Sequence, residues 1–241
     1  MNHEFMLTNF ERIIDTPDAI PHLRQFILDL AVRGKLVRQD PNDESGSEIL
    51  RRFQFTKAKL VAKKAIRDGG PTSPLDRDDL PFATPMNWAW ARIGDTSTVV
   101  TKGSTPTSYG HGYLSAGINF IKVESIVDGQ LQPENIRSFI SEETHNFLAR
   151  SRLALGDILF SIAGSIGTCA TVTEHILPAN TNQALAIIRG SDMVFDSDFL
   201  LVCLRSSLSD LTVRRARGGA MSNISLEDVK NFIVPVPPAK E

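Results

Sequence analysis

Leu153-Ala-Leu-Gly-Asp-Ile-Leu-Phe-Ser-Ile-Ala-Gly-Ser-Ile-Gly167 is the stretch that decides how the chain folds. Its apolar run at 157–162 has the length and flanking glycines of a buried strand, and it ends in a turn of small residues. A second strand, 168–173, leaves that turn. The polar segment Pro178-Ala-Asn-Thr-Asn-Gln183 then leads into a third strand at 184–188. Runs at 118–123 and 232–236 complete the set of candidate strands. Irregular loops separate them in place of regular helices, so the pattern favours an α+β fold over a doubly wound sheet. Asp196 can cap a helix carrying Phe199, Leu200, Cys203 and Leu204 on one face, and Ser225 can cap a short helix before the last strand.

The region before this strand-rich part reads as helical. Leu23, Phe26, Ile27, Leu30 and Ala31 fall on one face at helical spacing. Pro21 suits an early helical position and Gly34 an exit with positive φ. Gln39-Asp-Pro-Asn-Asp-Glu44 is a turn by composition. Ser45 with Glu48 forms a capping-box pattern that opens a second helix. That helix carries Ile49, Leu50, Phe53 and Leu60 on its apolar side and ends near Gly69-Gly-Pro71. Prolines 71, 74, 81 and 85, set among charges, mark a linker or an extended crossing strand.

The chain has 241 residues, 41% of them apolar and 22% charged, which fits a folded domain or two. Its apolar runs are too short to span a bilayer, so no membrane role is expected. Residues 1–10 lack the basic and apolar regions of a signal peptide. Cys169 and Cys203 sit in apolar contexts and read as reduced core thiols of a cytoplasmic protein. The formal net charge of −2 argues against a high-affinity DNA binder acting alone. The average conceals local clusters, however. Seven cations and no acid occur between Arg51 and Arg67, and Arg214, Arg215 and Arg217 crowd four residues. A protein that meets DNA inside a larger complex can leave part of the phosphate contact to partners.

Catalytic readings fail on specific residues. Gly164-Ser-Ile-Gly167 has neither the spacing nor the Lys-Ser/Thr of a phosphate loop. Ala163 stands where a nucleophile elbow needs glycine. His3, His22, His111, His145 and His175 lack metal-ligand spacing. Neither a methyltransferase glycine fingerprint nor an Asn-Pro-Pro-aromatic run is present, so the chain is expected to be non-catalytic. What remains suits recognition. Lys102-Gly-Ser-Thr-Pro-Thr-Ser-Tyr-Gly-His111 combines small hydroxyl residues, which let backbone N–H groups approach phosphate, with Tyr109 and His111, which can reach a base edge or sugar. Arg214-Arg-Ala-Arg-Gly-Gly-Ala-Met-Ser-Asn223 offers arginine for guanine and asparagine for adenine. A solvated loop and a basic helix terminus are the plain alternatives for these two segments. Asn180, Asn182 and Gln183 suit fold-buttressing and DNA contact equally.

The run of segments resembles the specificity subunits of type I restriction-modification systems. The resemblance rests on Leu23-Arg-Gln-Phe-Ile-Leu-Asp-Leu-Ala-Val-Arg-Gly-Lys-Leu-Val37, Gln39-Asp-Pro-Asn-Asp-Glu44 and Ser47-Glu-Ile-Leu50 in the helical part. It continues through Pro85-Met-Asn-Trp-Ala-Trp90, Gly103-Ser-Thr-Pro106, Ile118-Asn-Phe-Ile-Lys-Val123 and Asp128-Gly129. Gly156-Asp-Ile-Leu159, Gly164-Ser-Ile-Gly167, Gly218-Gly-Ala-Met-Ser-Asn-Ile224 and Ile233-Val-Pro-Val-Pro-Pro238 close it. Each motif is weak alone, and their order is specific.

The resemblance implies a helical conserved or spacer segment at 1–70, a linker at 71–87, a mixed, strand-rich target recognition domain at 88–238, and the start of a following helix at 239–241. It implies reading of one half of a bipartite site on double-stranded DNA by Lys102, Ser104, Thr105, Tyr109, His111, Lys122, Ser165, Arg214, Arg215, Arg217 and Asn223. Leu23, Phe26, Ile27, Leu30, Leu50 and Phe53 would pack against a partner helix or a methyltransferase subunit, with packing onto their own domain as the alternative. A motor-endonuclease subunit would join through the complex. S-adenosylmethionine, ATP and Mg²⁺ would belong to partners, leaving this chain without a cofactor. The family continues past Pro238-Ala-Lys-Glu241 into a long helix and a second recognition domain. The chain is therefore expected to be half a subunit, working with a second half or a second copy. The competing reading is a truncated assembly or decoy module that binds methyltransferase subunits without directing them.

Overall fold

Strand β7, Ile158–Ser161, is buried along its whole length and forms the middle of the molecule. The computed structural model describes residues 19–67, 75–206 and 223–240. β7 pairs antiparallel with β8 (Cys169–Thr171) on one side and β10 (Leu185–Arg189) on the other. β10 in turn pairs antiparallel with β2 (Val99–Lys102), giving the order β2-β10-β7-β8. The period of two sends alternate side chains to opposite faces. Ile158, Phe160, Cys169, Ala186 and Ile188 enter one core, and Leu159, Ala170, Leu185 and Ile187 enter a second. Both faces are covered, which is why these strands read as continuous apolar runs without polar alternation.

The first core is closed by helices and by a two-stranded ribbon. β1 (Ala89–Arg92) pairs antiparallel with β11 (Ile233–Val236), so chain segments some 140 residues apart meet there. Helix α1 (Ala19–Val32) brings Val32, and α2 (Gly46–Ala62) brings Ile49 and Phe53. The second core is closed by a sheet in which β3 (Ile118–Ile121) pairs parallel with β9 (Ala179–Thr181) and antiparallel with β6 (Phe139–Ile140). A hairpin of β4 (Ile126–Val127) and β5 (Gln130–Leu131) adds Ile126 and Leu131. Helix α3 (Glu142–Phe147) follows β6. Helix α4 (Ser197–Arg205) is capped by Asp196, and α5 (Leu226–Asn231) by Ser225. The mixture of helices and several sheets is the expected α+β class.

The five strand candidates all form; four are one to three residues shorter than the apolar run suggests, and the fifth, β10, keeps its length but starts one residue later. The capping box of α2 is present, with Ser45 and Glu48 bonded reciprocally. Both N-terminal helices end in the same hydrogen-bond motif. At α1, Lys35 N–H donates to Leu30 O and Gly34, at φ 63°, donates to Ala31 O. At α2, Ala65 N–H donates to Leu60 O and Lys64, at φ 57°, donates to Val61 O.

Two features of the helical part differ from the sequence reading. The second helix does not continue to Gly69. It closes at Ala62, because Lys63, Lys64 and Ala65 offer the core no large apolar side chain, and the left-handed Lys64 reverses the chain. Phe53, expected on a partner-facing surface, is only 2% exposed and packs in the first core, with Leu50 beside it. The proline-containing segment is tied down where it is described. The Arg33 guanidinium lies 4.3 Å over the Phe82 ring, which meets Trp90 edge-on at 5.0 Å. Trp88 Nε1–H donates to Gln39 Oε1 at 3.0 Å.

Candidate nucleic-acid interface

Strand register brings most of the candidate residues to one end of the central sheet. Lys102 lies opposite Ala186, Leu185 opposite Ser161, and Phe160 opposite Cys169. The segments 103–111, 182–184 and 162–168 therefore all leave the same end. The parallel pairing of Ile121 with Thr181 carries Lys122 there too, one step on and level with Asn182. Asn223 joins by bridging Ala163, while Ile224 N–H donates to Ile162 O at 2.8 Å. Arg214, Arg215 and Arg217 lie outside the described residues.

Gly103 fixes how the first loop approaches. Its backbone runs so close to β9 that an added Cβ would lie 2.1 Å from Thr181 O and 2.3 Å from Asn182 O. Ser104 N–H then donates to Thr181 O at 3.0 Å. The Ser104 side chain is buried and its hydroxyl accepts from Arg150 Nη2 at 3.2 Å. Ser104, expected as a DNA contact, thus holds the loop from inside, and the exposed guanidinium presented beside it is that of Arg150. Thr105 Oγ1–H donates to Gln183 Oε1. Lys102 and Ser165 are exposed, as is Asn223.

Beyond the loop, aromatic rings pack against one another at the surface. Tyr109, 52% exposed, meets Phe147, 57% exposed, edge-on at 5.5 Å. His111 lies 4.9 Å from Phe147, and its Nδ1 is hydrogen-bonded to Thr144 Oγ1 at 3.1 Å. The Lys122 ammonium sits 4.6 Å over the Tyr113 ring. Burial pushes the Tyr113 hydroxyl above its usual pKa, with a smaller contribution from the charge of Glu124. Between the 163–168 turn and the turn after β3 lies an open cleft of about 490 Å³, lined by Glu124, Ser165 and Asn182 among others.

The ambiguous amides separate clearly. Asn180 is fully buried, and its Nδ2 donates to Leu148 O and Ser151 Oγ at 3.1 and 2.9 Å. His145 Nδ1–H donates to its Oδ1. Asn180 is a buttress. Asn182 accepts from Ala184 N–H at 3.1 Å and shapes the turn, while Gln183 is exposed. Sequence reasoning passed over Arg150 and Phe147, which reach the face from a distant element, and over Tyr113 and Glu124, which lie two residues beyond the candidates His111 and Lys122.

At the opposite end of the sheet the chemistry is structural. Asp157 is 1% exposed and accepts from Arg189 Nε at 2.7 Å, Arg189 Nη2 at 2.6 Å and Ala154 N–H at 2.8 Å. The bidentate pair joins the start of β7 to the end of β10. Cys169 and Cys203 are buried free thiols, and burial raises the pKa of both. No group of three or more His, Cys, Asp or Glu side chains that could hold a metal occurs among the described residues. Nor, among them, is any helix long and apolar enough to cross a membrane.

Comparison with known proteins places the chain in a family. The specificity subunit of the type I restriction enzyme EcoEI from Escherichia coli is 42% identical over 238 residues, covering 95% of this chain and 39% of that protein. The EcoAI specificity subunit, also from Escherichia coli, is 26% identical over 237 residues, covering 97% and 40%. The chain thus spans about two fifths of the length of these curated relatives. A chain solved in work on complex assembly and conformational transition of the type I R-M system shares the fold. Its TM-score is 0.50 at 20% identity, over 80% of this chain and 45% of that one. Residues 85–241 match the family described as the type I restriction modification DNA specificity domain, and the chain belongs to that family.

Proposed function

We propose that this chain is a non-catalytic, sequence-specific DNA-recognition subunit, or half of one, that reads one half of a bipartite site with the loop-bearing end of its central sheet. The observation that carries this reading is the convergence of Lys102, Lys122, Ser165 and Asn223 at that end, from four separate segments. The exposed Lys102 and the half-buried Lys122 supply phosphate contacts that set register, and polar side chains beside them meet base edges. Thr105, Tyr109 and His111 extend the surface from the first loop, and Arg214, Arg215 and Arg217, outside the described residues, are assigned to DNA contact from their residue type alone. Ser104 acts indirectly by holding Arg150.

In this reading the complex works in the cytoplasm. Residues 1–70 are its helical spacer segment, 71–87 the linker and 88–238 the recognition domain. Methyltransferase subunits dock on the helical part through Leu23, Phe26, Ile27 and Leu30. The exposure of Ile27 on α1 and of Phe55 on α2, 42% and 64%, supports an apolar contact there. A motor-endonuclease joins through the complex. S-adenosylmethionine, ATP and Mg²⁺ act in the partners. A second half, or a second copy, reads the other half-site.

The experiment is DNA binding by the assembled complex as a function of salt. Lys102→Ala and Lys122→Ala are each expected to weaken binding to every duplex and to lower the slope of log affinity against log salt by about 1. Slopes equal to the wild type for both variants would remove this end of the sheet from the interface.

A further inference from the structure

Glu124 stands out on the proposed face because phosphate binding does not account for it. It lies two residues after Lys122, in the single 3-10 turn Val123–Ser125 that leaves β3. It is exposed and lines the cleft of about 490 Å³ together with Ser165 and Asn182. Lys122 sits over the Tyr113 ring instead of pairing with this carboxylate. Among the described residues Glu124 forms no salt bridge. Its charge is felt at the Tyr113 hydroxyl, so it belongs to the same local group as Tyr113 and Lys122.

A carboxylate on a DNA-facing surface is repelled by phosphate and can only accept hydrogen bonds. The donors that DNA offers in the major groove are the exocyclic amino groups, N4 of cytosine and N6 of adenine. Adenine places the N7 acceptor beside its amino group, where a carboxylate has no proton to give. Cytosine has no acceptor of its own at the corresponding position. Resting on the DNA-recognition reading above, we infer that the cleft is a base-reading pocket in which Glu124 accepts a hydrogen bond from cytosine N4. Ser165 and Asn182 wall the pocket and limit which base edge can enter. Glu124 is thereby a specificity-determining residue that tolerates the nearby phosphates only where a cytosine amino group meets it.

The test selects bound sequences from a randomised duplex pool with the assembled complex, using wild type, Glu124→Ala and Glu124→Gln. Glu124 is exposed, so all three are expected to fold, and their melting temperatures are compared to show it. Glu124→Ala is expected to relax a cytosine preference at one position by roughly 5- to 150-fold and to leave the other positions unchanged. Glu124→Gln is expected to move that position towards adenine, because an amide donates to N7 while accepting from N6. Selected sequences identical to the wild type for both variants would overturn the assignment. A wild-type complex that enriches no sequence would overturn the recognition reading itself, and this inference with it.

Discussion

Gly103→Ala is expected to shift the first loop and to lower affinity for the cognate sequence about tenfold or more, while affinity for random duplex falls less. The cause is steric. The new Cβ would lie 2.1 Å from Thr181 O and 2.3 Å from Asn182 O, and neither is the far end of a flexible side chain. Backbone must move, at a cost of about 1–3 kcal/mol. Thr181 lies on β9 against β3, with its hydroxyl donating to Ile121 O, so the loop is the part that yields. Residues 104–111 then lose their register against Gln183 and Arg150, and a misplaced base contact is worth about 1–3 kcal/mol. Gly112 is the matched control, since a Cβ there meets nothing within 4 Å. Gly112→Ala is expected to behave as wild type in melting and in DNA binding. Equal behaviour of the two variants would contradict the close approach of loop and sheet.

Asp157→Ala is expected to cost about 3 kcal/mol of stability, the larger of the two effects on the fold. The substitution strips a buried carboxylate from two guanidinium donors and from Ala154 N–H, leaving Arg189 half-buried without its counter-charge. Arg189 retains Arg152 O at 2.9 Å and is 38% exposed, so water compensates part of the loss and the upper range for fully buried pairs is not reached. Chemical denaturation gives the value directly. A loss below about 1 kcal/mol would mean that the pair is not the clamp between β7 and β10. The pair lies at the end of the sheet away from the recognition loops. Well below its melting temperature the variant is therefore expected to select the same DNA sequence as wild type.

The contrast between the two ends of one sheet explains what was legible in the sequence. β7 and β10 were readable because both faces are buried, which writes long apolar runs bounded by glycine and polar turns. α2 and α4 were readable because Ser45 and Asp196 announce their starts. β9 was missed because Ala179–Thr181 looks polar. Its burial rests on Asn180 meeting Leu148 O and Ser151 Oγ, partners some 30 residues away. β1 was missed because Ala-Trp-Ala-Arg becomes a strand only against β11. The β4–β5 hairpin left a usable signal. Asp128-Gly129 is the residue pair that a two-residue hairpin with positive φ prefers, and the two adopt φ 50° and 75°. The candidate face was legible in its loops but not in its assembly. No local pattern places Lys122 beside Asn182, because the parallel β3–β9 pairing that does so joins segments about 60 residues apart. Ser104 and Phe53 were misjudged for the same reason. The Ser104 hydroxyl suits a surface role and the apolar helix face of Phe53 suits a partner or its own domain equally, and only the packing of distant elements turns both inward.

The central claim is that this chain directs a modification complex to one DNA sequence. Mapping adenine methylation across the genome of the source cell, with the gene intact and with it deleted, tests that claim most directly. The account predicts that deletion abolishes methylation at one bipartite motif and leaves all other methylated motifs as they were. An unchanged set of methylated motifs would contradict it.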